Sequence, residues 1–166
     1  MLRGETVQAC LRLLEGIPPL REDCGRLCTA ACCRSLPGEE TGMLLFPGEE
    51  ETCRSLPGFR LKPTAQGTLA LCPGTCDRST RPLACRMFPL IPLLRGERVR
   101  VAADARARAV CPLARQGVRA CLPEFVEAVR ACGELLAEDP EGREILREMT
   151  RRQDDLTALQ RQFGGG

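Results

Sequence analysis

The sequence contains no histidine, no tryptophan and no tyrosine, and only five phenylalanines among its 166 residues. Without histidine, metal sites built on imidazole are excluded, as are serine or cysteine nucleophiles activated by an imidazole base. Lys62 is the only lysine, so Schiff-base or lysine-base chemistry has a single candidate. Any metal in this protein is therefore expected to bind thiolates, with carboxylates as the other available side-chain ligands.

Charge gives little reason to expect a nucleic-acid partner. The net charge is +2, the chain has no polybasic block, and aromatic residues that could stack on bases make up 3% of the sequence. Acidic residues also gather in the first third of the chain, where we interpret them as a solvated loop because unpaired carboxylates are seldom buried. These residues are Glu39, Glu40, Glu49, Glu50 and Glu51.

Hydropathy gives no reason to expect a membrane role. No stretch approaches the ~20 consecutive apolar residues that a membrane-spanning helix needs. The first residues lack the apolar segment of a signal peptide. We therefore expect a soluble cytoplasmic protein without a membrane partner.

The length predicts a single domain over residues 1–166. Within it we expect a cysteine-cluster metal-binding core over residues 21–112 and a helical hairpin over residues 120–162. The shortage of aromatic side chains implies a thin apolar core, which a bound metal would reinforce. The predicted fold class is mainly α with short β segments, a small irregular cysteine-rich domain stapled by metal and ending in a helical hairpin.

Helical periodicity appears at both ends of the chain. Near the start it predicts a helix over about residues 5–15, with one apolar face formed by Val7, Cys10, Leu11 and Leu14. Near the end, Phe125, Val129, Cys132 and Leu136 form the apolar face of a helix that Asp139-Pro140 ends. The second helix of the hairpin is predicted from about residue 141 to 162, with inward residues Ile145, Met149, Leu156 and Leu159. Cys10 and Cys132 lie on these stripes, so we assign them to the core, whereas Cys121 could be core or ligand.

Short strands are predicted in the second half of the cysteine-rich region. Residues 69–72 are one candidate, and residues 91–94 and 98–101 predict a hairpin around a three-residue loop that contains Gly96. Asp104 is positioned to cap a short helix that ends by about Val110.

The twelve cysteines are the most informative feature of the composition. In a reducing compartment such a density indicates metal or redox chemistry, and the alternative is a secreted disulfide scaffold. Cys24, Cys28 and Cys32 are four residues apart, which would place them on one face of a helix with about 5–6 Å between neighbouring Cβ atoms. Cys33 would point roughly 100° away, so one helix cannot surround a tetrahedral ion and other segments must supply ligands.

Those ligands are predicted further along the chain. Cys72 and Cys76 flank a Pro-Gly turn and form a compact knuckle, Cys85 lies in a segment that Pro82 and Pro89 hold extended, and Cys111 precedes a proline. Arginines beside these cysteines would lower the thiol pKa and favour the metal-binding thiolate, or they are simply solvated. They are Arg26, Arg34, Arg81 and Arg86.

Two motifs together resemble a known family. The first is Cys24-x3-Cys28-x3-Cys32-Cys33-Arg34, and the second, after a cysteine pair, is Arg81-Pro82-x2-Cys85-Arg86-x-Phe88-Pro89. This pattern, over residues 24 to about 112, is similar to the YkgJ-type cysteine-cluster proteins, a zinc- or iron-chelating domain that also occurs in flagellin lysine N-methylases. The resemblance implies a metal site formed by Cys24, Cys28, Cys32, Cys33, Cys72, Cys76, Cys85 and Cys111.

Eight thiolates fit two closed four-sulfur sites, or one cluster with four thiols left over. Ligation by thiolates alone, with small residues between them, favours an iron–sulfur cluster such as 4Fe–4S, and Zn²⁺ is the alternative. We expect an accessory or interaction protein with a protein or peptide partner. The alternatives are a cluster-dependent, methylase-like enzyme acting on a protein or peptide, a structural zinc protein and a thiol redox sensor. No catalytic residue is assigned.

Overall fold

The computed structural model describes residues 4–20, 42–74 and 77–163. Helices dominate these residues, and the strands form two small antiparallel sheets. The predicted fold class is confirmed at this level: mainly α with short β segments, and a C-terminal helical pair. No helix in the described ranges combines the length and the apolar character needed to cross a membrane.

Helices and strands alternate irregularly along the described chain. The α-helices are α1 (Gly4–Leu13), α2 (Glu50–Arg54), α3 (Leu83–Met87), α4 (Pro112–Gln116), α5 (Pro123–Glu138) and α6 (Pro140–Phe163). The strands are β1 (Met43–Leu44), β2 (Arg60–Thr64), β3 (Gly67–Leu71), β4 (Leu90–Arg95) and β5 (Arg98–Ala103). Short 3₁₀ helices cover Arg78–Thr80, Ala105–Ala109 and Val118–Ala120, and Asp104 caps the second of them by accepting from the Arg106 N–H.

The first sheet has the strand order β1-β3-β2, with both pairings antiparallel. Only β3 corresponds to a predicted strand, and it covers Gly67–Leu71 where residues 69–72 were expected. β2 is mostly exposed and contains Pro63, so it shows no apolar alternation, and β1 has only two residues. Neither β1 nor β2 was therefore predicted from the sequence.

The second sheet is the β4–β5 hairpin, which confirms the pairing of residues 91–94 with 98–101. Arg95 also pairs with Arg98, so the loop contains two residues, not the three predicted. Gly96, at φ +63°, begins this turn, and a positive φ is what two-residue hairpin turns require. The first five residues of β4 are buried, and this buried strand is a floor on which α5 and α6 pack.

The main core lies between α1, α5 and the hairpin. The predicted stripe of α5 is confirmed, because Phe125, Val129, Cys132 and Leu136 are all buried. Val7, Cys10 and Leu14 of the predicted α1 stripe are buried as well, and Leu11 packs at its edge. At Gly133 a methyl group would lie only 2.6 Å from Val99 Cγ1 and 2.8 Å from Pro92 Cβ, so this glycine lets α5 approach the hairpin closely.

The inward face of α6 differs from the prediction. Gly142, Leu146 and Thr150 are the buried residues, whereas Leu159, predicted to face inward, is 52% exposed. Of the other predicted inward residues, Ile145 and Met149 are half-buried and pack against the main core as predicted, and Leu156 is half-buried. The physical reason is a hydrogen bond: Thr150 Oγ1 accepts from the Leu94 N–H at 2.9 Å and donates to the Leu146 carbonyl at 2.7 Å, which turns this polar residue toward β4.

Candidate functional site

Three of the eight predicted ligands belong to the described residues. Cys72 directly follows β3, Cys85 lies within α3, and Cys111 precedes α4. Cys72 and Cys85 are half-buried and Cys111 is buried. The other five predicted ligands lie outside the described residues: Cys24, Cys28, Cys32, Cys33 and Cys76.

The turn after Cys72 places a backbone N–H against the cysteine sulfur, and the second cysteine of the predicted knuckle, Cys76, lies outside the described residues. The Gly74 N–H donates to Cys72 Sγ at 3.4 Å, and Gly74 adopts φ +102°, a value that a residue with a side chain rarely adopts. A backbone N–H directed at sulfur stabilises the thiolate over the thiol and is typical of metal-bound cysteine. The Pro73-Gly74 turn therefore directs a backbone donor at the Cys72 sulfur.

Cys85 is held by a short helix with one buried face, so the extended conformation predicted for its segment was wrong. Leu83 and Met87, four residues apart, are both almost fully buried, and Cys85 is displaced from Leu83 by about 200° around the helix. The Leu83 N–H donates to Glu49 Oε1 at 2.7 Å, which fixes the start of α3. Cys85 is thus directed away from the residues that anchor α3 in the core.

Glu49 is a structural carboxylate, so its interpretation as part of a solvated loop was wrong. Its side chain is buried, and its second oxygen accepts from the Phe46 N–H at 3.0 Å. Burial is the main cause that raises the pKa of Glu49, against the opposing effect of the two N–H donors from Leu83 and Phe46. Glu50 and Glu51 begin α2, and Glu39 and Glu40 lie outside the described residues.

Arg86 contacts three backbone carbonyls on two segments of the chain. Its Nε donates to the Arg81 carbonyl at 2.9 Å, one terminal nitrogen contacts the Leu11 carbonyl at 3.4 Å, and the other donates to the Ser79 carbonyl. This guanidinium therefore joins the segment before α3 to α1. The geometry gives Arg86 a structural role, so the purely solvated role considered from the sequence was wrong for this residue.

Cys111 lies among small apolar side chains. Its N–H donates to the Ala107 carbonyl at 2.8 Å, and its neighbours in this cluster are Ala107, Leu113 and Ala114. The cluster is separate from the main core and contains no large aromatic ring among its fully buried members.

Cys10 and Cys132 face each other across the interface of α1 and α5. Cys10 Sγ contacts the Cys132 carbonyl at 3.6 Å, and Cys132 Sγ contacts the Cys10 carbonyl at 3.5 Å. The hydrogen bond with the Cys10 side chain, together with burial, raises the pKa of Cys132. Both residues are fully buried, which confirms their assignment to the core.

Cys53 and Cys121 are also buried, in different clusters. Burial, the nearby Glu49 carboxylate and the nearby Cys72 side chain raise the pKa of Cys53 to about 11. Cys53 is therefore a neutral thiol beside Cys72. Within residues 4–20, 42–74 and 77–163, no three cysteine, aspartate or glutamate side chains come together as a metal site. A site that uses Cys72, Cys85 or Cys111 must draw further ligands from the other predicted cysteines.

A cleft of about 610 Å³ lies between the first sheet and α6. Its apolar lining includes Leu44, Phe46, Ile91, Met149 and Leu156. The sequence analysis missed the cleft, because Met149 and Leu156 were assigned to the inward face of α6. The sequence did contain a signal for the cleft, because the apolar stripe of α6 has two edges instead of one.

The charged lining of the cleft is mainly acidic. Five carboxylates and two guanidinium groups border it, an excess of three negative charges. These residues are Glu50, Asp104, Glu141, Glu144 and Glu148, with Arg106 and Arg152. An apolar floor with an acidic border fits a ligand that is itself apolar on one side and basic at its edges.

Comparison with family models, with curated proteins and with solved structures finds no match to this chain. Its function must therefore be inferred from two features of its own residues: the thiols at the ends of short elements, and the acidic apolar cleft along α6.

Proposed function

We propose that this chain is a cytoplasmic cysteine-cluster protein that binds an iron–sulfur cluster through thiolates and acts as an accessory or interaction protein. The motif resemblance to the YkgJ-type family supports this assignment. The proposed ligands are Cys24, Cys28, Cys32, Cys33, Cys72, Cys76, Cys85 and Cys111. When bound, the cluster would supply a redox-active inorganic centre that also cross-links distant parts of the chain.

The observation that carries the proposal is that two sets of cysteines lie in different environments. Cys10 and Cys132 are sealed in the main core, and the surroundings of Cys132 favour its neutral thiol. Among the described members of the proposed ligand set, Cys72 and Cys85 are half-buried and a backbone N–H points at Cys72 Sγ, whereas Cys111 is buried among small apolar side chains. Metal binding requires thiolates, so the second environment suits a ligand and the first does not.

The donor chemistry is compatible with the proposed group. The predicted ligands are all cysteines, and thiolates are the ligands that iron–sulfur clusters use. Zinc is also held by four thiolates in structural sites, so the metal must be identified directly. A reducing cytoplasm would keep the thiols available for either metal.

The test compares Cys85→Ser with Cys132→Ser, after purification of each variant without oxygen. We expect Cys85→Ser to lose most of its iron and acid-labile sulfide, because it removes a proposed ligand, and Cys132→Ser to retain both. Cys28→Ser is expected to behave like Cys85→Ser. Metal and sulfide analysis gives the contents per chain, and the visible absorption spectrum reports the cluster itself.

Far-ultraviolet circular dichroism checks that each variant folds. Equal metal loss from Cys85→Ser and Cys132→Ser, with folding preserved, would contradict the assignment of Cys85 as a ligand and Cys132 as a core thiol. Zinc without sulfide would replace the iron–sulfur assignment with a structural zinc site. Protein isolated without either metal would contradict the proposal altogether.

A further inference from the structure

Helix α6 carries a second apolar stripe in addition to the face that packs on β4. Ile145, Met149, Arg152, Leu156, Leu159 and Phe163 follow one another at alternating spacings of four and three residues. This is the spacing of a coiled-coil seam, which stays on one side of a helix while a partner helix runs along it. The seam, as these six residues are called below, runs beside the buried residues Leu146 and Thr150, and its first two members, Ile145 and Met149, also pack against the main core.

The seam joins the cleft to an exposed apolar end. Ile145, Met149, Arg152 and Leu156 line the cleft. Beyond them, Leu159 is 52% and Phe163 78% exposed. From Ile145 to Phe163 the helix rises about 27 Å, the length of a partner helix of about 18 residues.

One flank of the seam carries an acidic row. Glu141, Glu148 and Asp155 recur at intervals of seven residues along it, and the Asp155 side chain is 69% exposed. Two members of this row already have arginine partners on α6: Glu148 pairs with Arg151 and, at 2.9 Å, with Arg152, and Asp155 lies 3.9 Å from Arg151. Exposed ion pairs of this kind contribute little to stability, so a partner's basic side chains can compete with them. Across the cleft, Glu50 adds another carboxylate.

The other flank is closed by the rest of the fold. Gln153 Nε2 donates to the Ala103 carbonyl and Gln160 Nε2 to the Ala105 carbonyl, each at 2.9 Å. A partner helix can therefore flank α6 only along its acidic side. A second copy that used the same seam in antiparallel orientation would place the two acidic rows against each other, which like-charge repulsion disfavours.

We propose that the cleft and the seam form a docking site for a basic amphipathic helix of a partner protein. Its apolar face would cover Met149, Leu156 and Phe163, and its lysine or arginine side chains would pair with the acidic row. This inference rests on the proposed function, which expects a protein or peptide partner, and it specifies the chemistry of that partner. Because the site consists of described residues outside the cysteine motifs, its test does not require the metal.

The probe is a fluorescein-labelled helical peptide of leucine and lysine, about 18 residues long. A matched peptide has glutamate in place of lysine. Fluorescence anisotropy with the full chain measures both dissociation constants at low and high salt. We expect the leucine–lysine peptide to bind at least about tenfold more tightly than the glutamate peptide at low salt, with a smaller difference at high salt.

Two variants at exposed positions test the seam and its flank. Replacing Leu159 and Phe163 together with serine should weaken binding of the lysine peptide by about tenfold or more, because their apolar contact is lost. Asp155→Lys should weaken it severalfold at low salt. Glu138→Lys is the matched control, since it makes the same charge change at an exposed position on α5 outside the cleft.

Equal binding of the two peptides, or equal effects of Asp155→Lys and Glu138→Lys, would overturn the proposal. So would a dimer, measured by light scattering, that the double serine variant dissociates, because the seam would then belong to a second copy. Metal analysis of the same samples separates the two hypotheses. Peptide binding by metal-free protein would support the docking site while contradicting the metal assignment.

Discussion

The Glu49 carboxylate joins two parts of the chain that are 34 residues apart. One oxygen accepts from Leu83 at the start of α3, and the other accepts from Phe46, just after β1. Each bond satisfies a backbone N–H that would otherwise be buried without a partner, which costs about 1–3 kcal/mol. At the scale of a single residue, Glu49 therefore orders the surroundings of Cys85.

Glu49→Gln should destabilise the fold by about 1–3 kcal/mol, because the amide NH₂ of glutamine faces an N–H where the carboxylate accepted two hydrogen bonds. The pKa of Glu49 is raised in the folded state, mainly by burial. Its contribution to stability is therefore fully present below its ordinary pKa and is lost as the pH rises through the folded-state value. The advantage of the native chain over Glu49→Gln should shrink as pH rises.

Urea unfolding of both proteins, from about pH 4 to pH 7, measures this difference in free energy. Glu51→Gln provides the control, because Glu51 is exposed in the same short helix, and it should leave both stability and pH dependence nearly unchanged. A difference between native chain and Glu49→Gln that grows with pH would contradict the raised pKa.

Individual cysteines differ in how well the sequence predicted them. Cys10 and Cys132 were correctly placed in the core because each lies on an apolar helical stripe, a pattern local to its own helix. The burial of Cys53 was not foreseen, since Leu45, Ala70 and the rest of its cluster come from segments that meet only in the folded chain. Of the eight proposed ligands, the described ones are Cys72, Cys85 and Cys111, which lie in or next to three different elements.

At the scale of elements, α5 was predictable and the rotation of α6 was not. The apolar stripe of α5 agrees with its buried face because the residues there are simply hydrophobic. α6 has two apolar edges, and the choice between them depends on the Thr150 hydroxyl and on the buried Leu94 N–H of β4. No pattern within α6 contains that information, because the hydrogen bond joins residues 56 positions apart.

Thr150→Val tests this anchor between α6 and β4. Valine keeps the shape of threonine but removes the hydroxyl, so the Leu94 N–H loses its acceptor and the free energy of unfolding should fall by about 1–3 kcal/mol. Chemical denaturation followed by circular dichroism measures the change. Thr150→Ser retains the hydroxyl and should cost less than Thr150→Val; the reverse order would show that the methyl group, and not the hydrogen bond, holds α6 in register.

At the scale of the whole molecule, the proposed metal would contribute a large share of the free energy of folding. The chain has no tryptophan or tyrosine, and its largest fully buried side chain is Phe125. Where side-chain burial is modest, the free energy of metal binding becomes free energy of folding. A cluster that spans residues 24–111 would also shorten the loops available to the unfolded chain.

Removal of the metal by a chelator should lower the thermal midpoint by about 10 °C or more, since 1 kcal/mol corresponds to about 2–4 °C in a domain of this size. Far-ultraviolet circular dichroism during heating measures the midpoint. Cys85→Ser, already depleted of metal, should show little further change with chelator. An unchanged midpoint in the native chain would mean that the fold does not depend on the metal.

The contact between Cys10 and Cys132 constrains the order in which parts of this protein fold during synthesis. The two residues are 122 positions apart, so α1 leaves the ribosome long before α5, which covers its apolar face. The β4–β5 hairpin, in contrast, can close as soon as it emerges, because its strands are adjacent in the chain. Long-range closure of this kind slows folding. During synthesis, the apolar stripe of Val7, Cys10 and Leu14 therefore stays uncovered until the last third of the chain has been made. In that interval it is the surface that a chaperone would need to shield.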